Sequence, residues 1–131
     1  MATYQAVSRA TERELIRSLH TPTLGGLGVA FAMVAFGGEL GMRVDLSLVP
    51  AAGAIEDDEI LFSESNSRFI ATVAPENREE FERTLSGTSL ACVGEVTAER
   101  ALAIQGMARQ AVVWADVLEL KKKWKETLDG L

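Results

Sequence analysis

The sequence predicts an α+β fold, an α/β sandwich in which a mixed sheet is covered by helices. Apolar residues recur at helical spacing near both ends of the chain, residues 27–36 are apolar on every side, and residues 42–48 alternate as a half-buried strand does. The expected order is α-α-β-β-α-β-β-β-α, with no internal repeat or linker. A length of 131 residues suits one domain, and 47% hydrophobic with 24% charged residues supports a packed core and excludes a disordered chain.

Taken in order, Tyr4, Val7, Leu15, Ile16 and Leu19, separated by Arg and Glu, predict an amphipathic helix that reaches about His20. Thr21-Pro22 stops it, because Pro22 disfavours the helical region for the residue before it. Gly25-Gly26-Leu27-Gly28 opens a second helix that lacks a polar face and is therefore expected to be buried between layers; Gly37-Gly38 ends it. Met42 to Leu48 is a strand with one buried face, and Pro50 to Gly53 is a loop. Ile60-Leu61-Phe62 leads into a polar turn, Ser63 to Ser67, and Arg68 to Val73 is a second strand. Pro75 stands in the first turn of a helix, where Glu76, Glu79 and Glu80 suit the positive end of the dipole and Phe81 and Leu85 face the core. Gly87 terminates that helix, and Leu90 to Val96 forms a third strand broken by Gly94. Ala101–Ile104 and Ala111–Trp114 read as a hairpin across Gly106 at a sheet edge. The last helix runs from about Val117 to Leu128, with Lys121, Lys122, Lys123 and Lys125 on its wet side.

Several classes of function are excluded by the same residues. A net charge of −6 is wrong for a nucleic-acid surface, which needs clustered Lys and Arg. Cys92 is the only cysteine, so neither an internal disulfide nor a cysteine metal cage can form, and its place in Leu90-Ala91-Cys92-Val93 reads as a small buried hydrophobe. No signal peptide opens the chain, and the apolar stretch from Leu27 to Phe36 is about half of a membrane span. The expectation is a soluble, cytoplasmic protein with no nucleic-acid and no membrane partner.

Three segments carry candidate chemistry. His20 precedes Gly25 and Gly26, and glycines ahead of a buried helix let backbone N–H groups approach an anion with the helix dipole behind them. The same glycines also serve close helix packing. There is no Gly-Lys-Ser/Thr as in a P-loop and no preceding strand as in a dinucleotide fingerprint. Ser63, Glu64, Ser65, Asn66, Ser67 and Arg68 combine hydroxyls, a carboxylate, an amide and a guanidinium, a set that fits a phosphate and equally an ordinary polar turn. Glu56-Asp57-Asp58-Glu59 reads as solvated surface, since consecutive carboxylates rarely converge on one ion. With one histidine and a buried cysteine, no nucleophile–base–orienter set can be assembled.

The order of these pieces resembles a known family. His20, Gly25-Gly26-Leu27, Gly38 to Leu46 with Val44-Asp45-Leu46, Leu61-Phe62-Ser63-Glu64-Ser65 with Ser67-Arg68-Phe69, and Val93-Gly94-Glu95-Val96-Thr97 look like the C-terminal domain of the AIR synthase-related family. The Phe62-Ser63-Glu64-Ser65 block with Arg68-Phe69 is similar to its phosphoribosylformylglycinamidine synthase branch, and the likeness spans nearly the whole chain. The resemblance implies an AIR synthase C-terminal-domain fold over residues 1–131, as a piece of a longer chain that carries an N-terminal ATP-binding domain and works with a glutaminase domain or subunit. It implies an ATP-, Mg²⁺- and glutamine-dependent ligase that converts the small-molecule substrate formylglycinamide ribonucleotide to its amidine. His20 would then be catalytic, with Gly25 and Gly26 near the reacting centre, and Ser63, Glu64, Ser65 and Arg68 would bind substrate or phosphate. No ATP or metal is expected on this domain alone, which is expected to be inactive by itself.

The family's motif after the histidine is Asp-x-Ser-Asp-Gly-Gly-Leu, whereas this chain has Thr21 and Leu24 at the two Asp positions and Thr23 at the Ser. Neither replacement ligates a metal as a carboxylate does. Two alternatives stand beside this reading. One is a sister enzyme of the selenide, thiamine-phosphate or hydrogenase-maturation type, and the other is a non-catalytic interaction domain of the same fold.

Overall fold

A computed structural model describes residues 2–22, 25–50, 56–62 and 68–129 of the chain. Helix α1 (Ala2–Glu12) leads into strand β1 (Ser18–His20), followed by helix α2 (Gly26–Gly38) and strand β2 (Gly41–Asp45). Next come helix α3 (Asp57–Phe62), strand β3 (Ile70–Thr72) and helix α4 (Arg78–Thr84). Strands β4 (Gly94–Thr97), β5 (Ala101–Gln105) and β6 (Ala111–Asp116) precede the closing helix α5 (Val117–Asp129). Short 3-10 turns cover Leu46–Leu48 and Pro75–Asn77.

The strands divide into two sheets. β1 and β3 form an antiparallel ribbon, and the other four run in the order β4-β2-β5-β6. The larger sheet is mixed, because β2 lies parallel to β5 and the remaining pairs are antiparallel. Alternation along β2 and β5 sends Met42, Val44, Leu102 and Ile104 inward, where they meet Phe31 and Phe36 of α2, Ile60 and Leu61 of α3, and Val117 of α5. Each such fully buried side chain contributes roughly 1.5–3 kcal/mol. A second core joins α1 to α4 and the ribbon through Ala6, Val7, Ala10, Leu15, Phe81 and Leu85. The mixed sheet with covering helices is as expected, as are the hairpin at Gly106 and the Phe81/Leu85 core face; α2 is buried on one face only, through Leu27, Ala30, Phe31, Ala35 and Phe36, while Val29 is exposed.

Several elements differ from the sequence reading. The first helix stops at Glu12, and Glu14 takes a left-handed conformation (φ 58°) that turns the chain. Leu15, Ile16 and Leu19 keep helical spacing by coincidence: Arg17 N–H donates to Thr72 O at 2.8 Å, and His20 sits in a strand rather than at a helix end. After Asp45 the alternating run coils into a 3-10 turn, because the carboxylate accepts from Ser47 N–H at 2.9 Å and from its hydroxyl at 2.6 Å. Those bonds hold the Asp45 carboxyl below the ordinary carboxylate range.

The acidic group opens helix α3 instead of a loop, and its carboxylates lie at the favourable end of the dipole. The third strand pairs only from Gly94 onward, so Cys92 is exposed rather than buried. β6 lies at the sheet edge, while β5 lies inside it. Lys121 is not simply wet: its Nζ donates to Glu39 at 2.7 Å and ties α5 to the end of α2. The segment 51–55 and the turn at 63–67 lie outside the described residues. No helix among the described residues is long and apolar enough to cross a membrane.

Candidate anion-binding site

Four element ends converge on one place. β1 runs antiparallel to β3 with His20 opposite Ile70, so the C-terminal end of β1 lies beside the N-terminal start of β3. His20 and the chain toward Gly25 therefore leave the ribbon at the end where Arg68 enters it. α2 begins at Gly26 and touches β1. The end of α3 lies against the first turn of α2, where a Cβ at Gly28 would sit 3.2 Å from Phe62 Cε1 and 3.3 Å from the Leu61 carbonyl oxygen. His20 is thus beside Ile70 and Gly28 beside Leu61 and Phe62, far apart in sequence, because of one strand pairing and one helix–helix contact.

Glycine is required at the start of α2. Gly25 (φ 85°) and Gly26 (φ 66°) both take left-handed conformations, and a Cβ on Gly25 would lie 2.3 Å from Val29 Cγ2. Gly25 supplies no side-chain cap, and the positive end of a 13-residue helix dipole lies at this start of α2. Arg68, two residues ahead of β3, is half-buried. Its Nη1 is fully shielded from solvent and has no hydrogen-bond partner among the described residues. A buried guanidinium nitrogen left unpaired is costly, and a planar two-donor fork suits a carboxylate or phosphate. The arrangement therefore fits an anion.

Of the sequence candidates, His20 ends β1 and Arg68 precedes β3 at the same end of the ribbon, and Gly25 and Gly26 open α2. Ser63, Glu64 and Ser65 lie outside the described residues, in the segment between α3 and Arg68. Among the described residues no group of three or more His, Cys, Asp or Glu side chains is placed to hold a metal ion. Cys92 lies on the approach to β4, with its Sγ directed at Gly94 O, 3.6 Å away. Asp57 was missed as more than surface: it accepts from Met107 N–H and from Gln110 Nε2, a pairing no local pattern signals.

Residues 1–106 match the profile of the AIR synthase related protein family, C-terminal domain. The chain belongs to this family. It is 36% identical over 124 residues, 95% of its length, to the phosphoribosylformylglycinamidine synthase subunit PurL of Limosilactobacillus reuteri. The PurL subunit of Thermococcus sibiricus is 33% identical over 95 residues, 72% of the chain. The AIR synthase related segment seen here spans 15% of the first relative's length and 13% of the second's. Among solved structures, T. maritima PurL complexed with FGAR superposes with a TM-score of 0.80 at 24% identity, over 91% of this chain and 20% of that one. Hydrogenase maturation protein HypE gives 0.72 at 15% identity, over 86% of this chain and 41% of that one. These two likenesses establish the fold.

Proposed function

We propose that this chain is the C-terminal domain of a phosphoribosylformylglycinamidine synthase and that it holds the phosphate of the ribonucleotide substrate. The observation that carries the proposal is the buried Nη1 of Arg68, which has no hydrogen-bond partner among the described residues and lies toward the ribbon end that His20 also occupies. The family membership and the PurL relatives give the ligand its class, and T. maritima PurL has been solved with FGAR and with ATP.

In this reading residues 1–131 are one domain of a longer cytoplasmic enzyme. Arg68 supplies a charge-assisted fork to the phosphate, the α2 N-terminus adds its dipole, and Ser63, Glu64 and Ser65 complete the cradle. His20 stands at the end of β1 toward the reacting centre. ATP, Mg²⁺ and glutamine-derived ammonia belong to the parent enzyme, whose other domains and glutaminase partner supply those sites; a T. maritima PurLQS structure is consistent with such an assembly. The domain alone is inactive. ATP activates the amide oxygen as a leaving group in the parent reaction, and this domain contributes binding and orientation of the ribonucleotide.

The test is growth and kinetics. Residues 1–131, placed in a PurL subunit in exchange for its own C-terminal segment, are expected to restore growth without purines to an auxotroph that lacks the synthase. In that enzyme Arg68→Ala is expected to raise the KM for the ribonucleotide about ten- to a hundredfold, from a contact worth roughly 1.5–3 kcal/mol, and to leave the KM for glutamine unchanged. A well-expressed chimera that supports no growth, or equal effects on both substrates, overturns the proposal.

A further inference from the structure

The two faces of the β1–β3 ribbon belong to different cores. Phe69, Ala71 and Val73 pack against the second core, whereas Ile70 packs against the first. Pairing sets His20 opposite Ile70 and Ser18 opposite Thr72, and the hydroxyls of Ser18 and Thr72 hydrogen-bond to each other, so these four residues share one face. The same period of two, carried back from Ile70, puts Arg68 on the face of His20 and Phe69 on the opposite one.

Phe69 is therefore the anchor beside Arg68: a contact that fixes its ring also fixes the backbone from which the guanidinium departs. Tyr4 of α1 meets that ring edge-on, with centroids 5.2 Å apart and planes at 87°, an arrangement that aromatic quadrupoles favour. The second core draws on Ala6, Val7 and Ala10 of the same helix, while Tyr4 itself is 52% exposed. Its ring thus lies outside the core filling and against Phe69. From Tyr4 to Arg68 the path is one ring contact and one peptide link. We propose that Tyr4 is a positioning residue for the phosphate site: by holding Phe69 on one face of the ribbon it sets the direction in which Arg68 leaves the other. This rests on the reading of Arg68 given above.

The experiment measures affinity for ribose 5-phosphate by calorimetry in wild type, Tyr4→Ala, Tyr4→Phe, Arg68→Ala, Arg68→Lys and the double variant Tyr4→Ala/Arg68→Lys. Tyr4→Phe keeps the ring edge, and Tyr4→Ala removes it while keeping a good helix former. Tyr4→Ala is expected to weaken binding about two- to tenfold, the factor that corresponds to one aromatic pair, and Tyr4→Phe to bind as wild type does. In the Arg68→Lys background the loss caused by Tyr4→Ala should shrink, because an ammonium on a flexible stem has no planar fork to aim. Failure of wild type to bind, or undiminished binding by Arg68→Ala, overturns the site and with it the role of Tyr4 in it. Arg68-dependent binding that is indifferent to Tyr4→Ala, or that Tyr4→Phe does not restore, overturns the positioning role alone. So does an equal loss from Tyr4→Ala in both backgrounds, which is the mark of a purely structural contact.

Discussion

Replacing Arg68 by methionine should make the protein more stable and less able to bind. Nη1 of Arg68 is buried without a partner among the described residues, and leaving such a group unsatisfied costs roughly 1–3 kcal/mol. Arg68 is only half-buried as a residue, so the lower end applies, about 1 kcal/mol. Methionine keeps an unbranched apolar stem of similar reach and removes the charge. In a chain of 131 residues unfolding entropy is about 2.1 cal/mol/K per residue, so about 1 kcal/mol raises Tm by roughly 3–4 °C.

Wild type should gain in its turn from ligand. At ribose 5-phosphate about one hundredfold above Kd the gain is about 2.7 kcal/mol, roughly 10 °C, and Arg68→Met should lose it. Arg68→Lys should keep part of the ligand shift, because an ammonium supplies charge without the planar fork. Calorimetric melts of the three proteins with and without ligand decide the matter. A lower Tm for Arg68→Met would mean that the guanidinium is an integral part of the packing, and an unchanged ligand shift would remove Arg68 from the site; either result refutes the reasoning.

Two further predictions concern stability. Gly94 faces Val44 across the β2–β4 pair, and a Cβ there would lie 1.9 Å from the Arg43 carbonyl oxygen, so Gly94→Ala must push two backbones apart at about 2–4 kcal/mol. Gly37→Ala, with nothing within 4 Å, should instead stabilise α2 by up to about 1 kcal/mol; urea denaturation of both variants checks the contrast. The hydrogen bond and charge of Lys121 hold the Glu39 carboxyl below its ordinary value of 4.5. Its contribution is therefore present above pH 4.5 and is lost as pH falls through the lower folded value, so urea midpoints measured from pH 7 to pH 3 should fall less steeply in Lys121→Ala than in wild type.

The sequence by itself determined the class of fold and most of the core. The apolar run Leu27–Phe36 supplies a core face through Leu27, Phe31 and Phe36, although Val29 stays exposed, and the alternation of Met42, Val44 and Leu46 selects one inward face. The glycines before α2 were legible as a helix start because local φ preferences carry that information. Tertiary structure decided the rest. Leu15, Ile16 and Leu19 satisfy a helical period, and only the pairing with β3 makes the region around His20 a strand. The same pairing brings His20 and Arg68 to one end of the ribbon, and whether Arg68 covers a surface or buries an unpaired nitrogen depends on atoms distant in the chain. Asp57 looked like one of four solvated carboxylates, and its two donors arrive from 50 and 53 residues away. Hydrophobic periodicity is written locally, whereas hydrogen bonds across loops exist only once the layers have packed, so the scaffold could be read in advance and the polar site could not.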